Sequence, residues 1–146
     1  MWRGAGGWAD DGDPAAVPIR VWHAILEGAR HWTGYTHQWR RFPSFKTLCM
    51  ASCDTPADRV EAATAGWRTF RTLSEGEDLA EGEISCPASA ESGKLTTCDK
   101  CGLCDGTRYC RHTAAVRSIA IQIHGSLVHV ANHRRRMVTL TIGATA

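Results

Sequence analysis

Five of the chain's seven cysteines fall in one stretch, residues 86–110, which reads CPASAESGKLTTCDKCGLCDGTRYC. Cys86, Cys98, Cys101 and Cys104 have the spacing C-x11-C-x2-C-x2-C. Two residues between cysteines let both thiolates of a tight turn point at one ion or cluster. The residues around them are mostly Gly, Ser, Thr, Asp and Lys, which cannot build a packed core. Metal ligation is the natural source of order for such a loop. Residues 86–113 therefore read as a metal-binding loop with Cys86, Cys98, Cys101 and Cys104 as ligands. A disulfide-stapled loop and a set of free thiols are the other readings of the same pattern.

The remaining composition is that of an ordinary globular chain. With 146 residues, 43% hydrophobic and 22% charged, residues 1–146 read as a single domain with one core. A net charge of +2 is too mild to imply nucleic acid, which stays a weakly supported partner. The start, MWRGAGGWADDGD, has no apolar signal-peptide core, and no apolar run reaches the length of a membrane span. The expectation is a cytoplasmic protein with no membrane partner. In a reducing compartment clustered cysteines more often bind metal than pair.

Along the chain the hydrophobic period changes repeatedly. Residues 1–12 form a ragged N-terminus with four glycines. Val21, Trp22, Ile25, Leu26, Ala29 and Trp32 recur at helical spacing, which predicts a helix from Pro18 to Trp32. Residues 33–45, TGYTHQWRRFPSF, read as a loop with room for a short extended piece. Tyr35, His37, Trp39, Arg40 and Arg41 there could contact a ligand, since aromatics beside cations suit a nucleobase or an anion. The bland alternative is a loop whose aromatics fold back onto the domain. Lys46 to Ser52 reads as a buried strand with Cys49 inert in its middle and Cys53 just beyond it. Thr55 caps a helix from Pro56 to Ala65, which Gly66 stops. Trp67 to Leu73 alternates and reads as a strand, Ser74 to Ile84 as a solvated acidic loop, and Arg117 to Ile123 as another strand. Residues 126–146 form a C-terminal tail or hairpin, with Arg134 to Arg136 a charged turn. The alternation predicts a small α/β domain: a mainly parallel sheet, two helices and the cysteine-rich metal loop. Ligands of parallel sheets bind beyond the carboxyl ends of the strands. On that rule Cys53, His124 and the metal loop share one end of the sheet. His37 and Trp39 lie near them, and His37, Trp39 and His124 are the candidate cofactor-binding residues.

In order along the chain, GDPAAVP, TGYTHQW, CMAS, AGWRTFR, CPAS, TTCDKCGLCDG and SIAIQIHG resemble the gene-product-88-like family of phage and prophage proteins. The resemblance runs from about Asp13 to Gly125. In that family a strand precedes the GDP turn, and MWRGAGGWADD departs from the pattern. The resemblance implies a phage setting in a bacterial host and brings no established activity with it.

Two metals compete for the cysteines. Consecutive x2-x2 spacing is the habit of a loop wrapped on a 4Fe–4S cluster, with a distant fourth cysteine next to proline. Cys86-Pro87 supplies that fourth ligand, although ahead of the triple. Zinc prefers separated pairs, and Cys98 to Gly102 could form one knuckle. Iron–sulfur is the first expectation and one zinc ion the alternative. Cys110 is then a spare ligand, with His112 and His124 in reserve. A radical-SAM pattern is missing, because Cys49 and Cys53 have no third cysteine two residues on. Cys101 to Cys104 also resembles a thioredoxin-type CxxC. Three functional classes follow: an iron–sulfur enzyme or carrier, a structural zinc module that binds a partner or nucleic acid, and a small thiol redox protein.

Overall fold

The computed structural model describes residues 12–30, 32–107 and 118–123. Five strands form one parallel sheet: β1 (Tyr35–Thr36), β2 (Met50–Cys53), β3 (Thr69–Leu73), β4 (Glu83–Ser85) and β5 (Ser118–Gln122), in the order β1-β2-β3-β5-β4. Three α-helices accompany them: α1 (Ile19–Ile25), α2 (Pro56–Thr64) and the single turn α3 (Cys98–Cys101). The chain has an α/β fold with a small parallel sheet, as the alternation of periods predicts. Among the described residues no helix is long and apolar enough to cross a membrane.

Local chemistry explains the elements. Thr55 accepts a hydrogen bond from the Asp58 N–H at 3.0 Å, and the Asp58 carboxylate accepts one from the Thr55 N–H at 3.1 Å. This capping box and Pro56 start α2 where the sequence places it. The helix from Pro18 to Trp32 is shorter than expected and stops at Ile25. Gly28, at φ +78°, adopts a left-handed conformation that ends it. Trp32 lies beyond the helix, buried, with its indole N–H bonded to the Leu48 carbonyl at 2.8 Å. The strand over Lys46 to Ser52 is displaced: Pro43–Thr47 forms a 3-10 helix, and β2 starts at Met50. Cys49 therefore precedes the strand, and Cys53 is its last residue.

The acidic stretch is not solvated throughout. It ends in β4, where the Glu83 side chain is fully buried. Arg71 of β3 holds Glu83 with bonds of 2.9 and 2.7 Å, and Arg59 of α2 stands 3.2 Å away. Arg71 also pairs with Glu77. A buried carboxylate persists only with such partners.

Strand alternation divides the sheet into two faces. Ala51 and Cys53 point into a core with Ala62 of α2, Leu26 and the tryptophans Trp32, Trp39 and Trp67; Ile19 and Trp22 of α1 pack against it. The opposite face presents Tyr35, Met50, Phe70, Ile84, Ile119 and Ile121, against which lie Cys86, Ala88, Leu103 and Cys104. Parallel sheets need both faces covered. Here α1 and α2 share one face, and the cysteine-rich loop covers the other. The N-terminal residues and the C-terminal tail or hairpin lie outside the described residues.

Candidate metal centre

Each cysteine of the loop is positioned by a different device. Cys86 follows β4 directly, and its N–H donates to the Ala120 carbonyl at 2.8 Å, which continues the parallel ladder. The Cys86 carbonyl accepts from the Ser89 N–H at 3.1 Å and the Ser89 hydroxyl at 2.9 Å. Ser92 donates to the carbonyls of Pro87 and Ser89, each at 2.8 Å. Serine hydroxyls thus order a turn that has almost no apolar side chains. Cys98 and Cys101 stand three residues apart at the two ends of α3, which puts them on one side of the turn.

Cys104 is the anchored member. Its carbonyl accepts from the Gly34 N–H at 3.0 Å, tying the loop to the start of β1. Just beyond it, the buried Arg68 reaches Asp105 at 3.2 Å and the Gly106 carbonyl at 2.9 Å. Gly106 lies so close to the Leu48–Cys49 backbone that a Cβ there would stand 2.7 Å from the Cys49 nitrogen. Only glycine fits that approach, and its φ of +77° suits glycine as well. The Thr107 N–H closes the clamp on the Lys46 carbonyl at 2.8 Å.

Two of the four thiols, Cys98 and Cys104, are shifted upward. Partial desolvation raises the Cys98 thiol above its usual range although the residue is exposed overall, and the charges of Cys86, Cys101 and Asp99 push the same way. Burial drives Cys104 up to about 12, with Cys86 and Cys101 again adding to it. A hydrogen bond from Tyr35 and the charge of Arg68 act against that rise. Such a set ionises together only when a cation balances it. Cys86 and Cys104 are buried, Cys101 is half-buried and Cys98 is exposed. Among the described residues no group of three or more His, Cys, Asp or Glu side chains is placed to hold a metal ion. All six described cysteines carry free thiols.

The other site residues from the sequence are scattered. His37 follows β1; its Nε2 lies 3.0 Å from the Ser52 hydroxyl and 3.7 Å from Asp54. Ser52 belongs, by alternation from Met50, to the thiol-bearing face of the sheet. Trp39 is only 3% exposed and belongs to the core on the helix side, with Arg40 stacked 3.9 Å over its ring. It belongs to the core that holds Cys49 and Cys53, on the other face of the sheet from Cys86 and Cys104. Cys53 likewise faces the helix side, so it does not share a site with the cysteine loop. The expectation that the loop lies beyond the strand ends is also corrected. Cys86 leaves the carboxyl end of β4, but Cys104 sits beside the start of β1, so the loop lies across the face of the sheet. His124, Cys110 and His112 lie outside the described residues. Sequence reasoning missed the Arg68–Asp105–Gly106 clamp. An Asp-Gly pair right after Cys104 is the one signal that pointed to the clamp.

No family model matches the chain, and no curated protein or solved structure is significantly similar to it.

Proposed function

We propose that this chain is a phage-type metalloprotein whose Cys86, Cys98, Cys101 and Cys104 thiolates hold an iron–sulfur cluster. The observation that carries the reading is the placement of these four thiols. Cys86 and Cys104 are buried against Met50 and Ile119 on the face of the sheet opposite the helices, Cys98 and Cys101 bracket one helical turn of the same loop, and among the described residues that loop adds only Ala88 and Leu103 as apolar partners there. Thiolate–metal bonds would supply the order that such a loop's composition withholds, as structural zinc supplies ~10–16 kcal/mol in small domains. A bound 4Fe–4S cluster would give the protein one-electron chemistry. The order of GDP, CMAS, CPAS and TTCDKCGLCDG along the chain supports the phage setting, and free thiols suit the cytoplasm of a bacterial host.

One observation favours zinc as the second reading. Cys98 and Cys101 bracket a single turn closed by Gly102 at φ 60°, the form of a Cys-x2-Cys knuckle. A structural zinc module that binds a partner or nucleic acid would then be the function.

Serine replacement tests the ligand set. Serine at any of Cys86, Cys98, Cys101 or Cys104 is expected to abolish stoichiometric metal, whereas Cys53→Ala, on the other face, retains it. Metal retained in all four serine variants would refute the assignment.

A further inference from the structure

We propose that Cys98 and Cys101 are a redox-active pair: they reduce small-molecule disulfides and close into a disulfide of their own, while Cys86 and Cys104 stay reduced beneath them. In a metal-loaded chain the same step withdraws two ligands and releases the metal, a consequence that rests on the four-thiolate reading above.

The four thiols are not equally reachable. Cys98 is exposed and Cys101 half-buried, whereas Cys86 and Cys104 are each 8% exposed and lie against Met50 and Ile119. An oxidant arriving from solvent meets Cys98 first, and thiol oxidation depends on exposure. Cys98 and Cys101 bound the single turn α3. Residues three apart on a helical turn have Cβ atoms about 5–6 Å apart. A disulfide needs about 3.5–4.5 Å, so the turn has to tighten slightly. Little opposes that movement. Thr97, Asp99 and Lys100 are exposed, and the turn is held by its own bonds, from the Cys101 N–H to Thr97 at 2.8 Å and from the Gly102 N–H to Cys98 at 3.0 Å.

Cys104 has the same x2 spacing from Cys101 without the same freedom. Gly34 holds its carbonyl, and Arg68 holds the two residues after it. Cys86 is fastened to Ala120 in the sheet ladder. Neither competes with Cys98 for Cys101. The chemistry is thiol–disulfide exchange. The Cys98 sulfur attacks one sulfur of the small disulfide, whose S–S bond breaks, and its proton leaves with the departing thiol. The Cys101 sulfur then attacks Cys98, and a second thiol departs with the Cys101 proton. Two electrons pass to the small disulfide, and one new S–S bond remains in the loop.

The test exposes the full-length reduced chain, first free of metal, to glutathione disulfide and maps its disulfides by mass spectrometry after alkylation. The first product is expected to be two hydrogens lighter, with Cys98 joined to Cys101 and with Cys86 and Cys104 still free. In Cys101→Ser the reaction should stop at glutathione bound to Cys98. A first disulfide between any other two cysteines, no reaction in the wild type, or no glutathione on Cys98 in that variant overturns the inference. The chain loaded with Zn²⁺ separates the pair from the four-thiolate reading. Zinc released in step with the Cys98–Cys101 disulfide supports both. Zinc kept by the oxidised chain, or never taken up, sinks the four-thiolate reading and leaves the pair standing. A loaded chain that keeps both its zinc and its reduced thiols overturns the release step with the four-thiolate reading intact.

Discussion

At Glu83 a fully buried carboxylate faces two guanidinium groups, Arg71 at 2.7 Å and Arg59 at 3.2 Å. Burial alone would push this carboxyl up. Hydrogen bonds from Arg71 and the Ala80 N–H, with the charges of both arginines, outweigh it and hold Glu83 below the usual carboxylate range. The sign of the linkage follows. A group with a depressed folded pKa stabilises the fold above its unfolded value, near 4.5 here, and that contribution is lost as the pH falls below it. Glu83→Gln leaves buried cations short of a counter-charge, so it should cost ~3–5 kcal/mol at pH 7. Urea denaturation from pH 7 to pH 3 checks both points: the wild type should lose stability below about pH 4.5, and the variant should lose less over that window. Equal stability of the two proteins at pH 7 would show that the ion cluster does not hold β4 in place. None of this was legible beforehand, since Glu83 reads as one more acid in a run of acids. Its partners are 12 and 24 positions away, and pairing at that range leaves no local trace.

Elements were legible where a local rule decides them. Thr55, Pro56 and Asp58 carry their capping chemistry within four residues, and α2 starts where they predict. Ile119 and Ile121 alternate with Ala120, and β5 follows. The pattern misled where two signals competed. Val21 and Ile25 belong to the apolar helical stripe, yet both are exposed; Ile19, Trp22 and Leu26 face the core instead. Gly28 ends α1 two turns early. The cysteine loop was legible as chemistry and not as placement. Thiol spacing says what the loop can bind, but its seat on Met50, Phe70 and Ile119 depends on strand register, which the sequence does not display. The clamp at the loop's end offers a direct check. Gly106→Ala forces a Cβ to within 2.8 Å of the Leu48 backbone at a left-handed φ. A destabilisation of ~1–3 kcal/mol is expected, with faster amide exchange at Thr107, whose N–H bonds Lys46. An unchanged denaturation midpoint would mean that the loop is not docked there.

Over the whole molecule, the two faces of the sheet are covered by different means. One has α1, α2 and a cluster of tryptophans; the other has a loop of serines, glycines and thiols. Among the described residues, the loop brings little apolar cover to that side of the sheet. The proposed centre resolves that imbalance by making the loop's cysteines its core. The fold class followed from the alternation of periods, because strand and helix patterns survive without knowledge of tertiary contacts. The identity of the metal did not follow, since one spacing of thiolates serves both zinc and iron–sulfur. Metal and sulfide analysis of the chain purified without oxygen, together with its absorption spectrum, bears most directly on the central claim. A brown protein with about four irons per chain and broad absorption near the visible blue is the predicted result. One tightly held zinc in a colourless protein would keep the four-thiolate centre and exchange the cluster for zinc. A protein that holds no metal, with Cys86, Cys98, Cys101 and Cys104 joined in disulfides, would contradict the account.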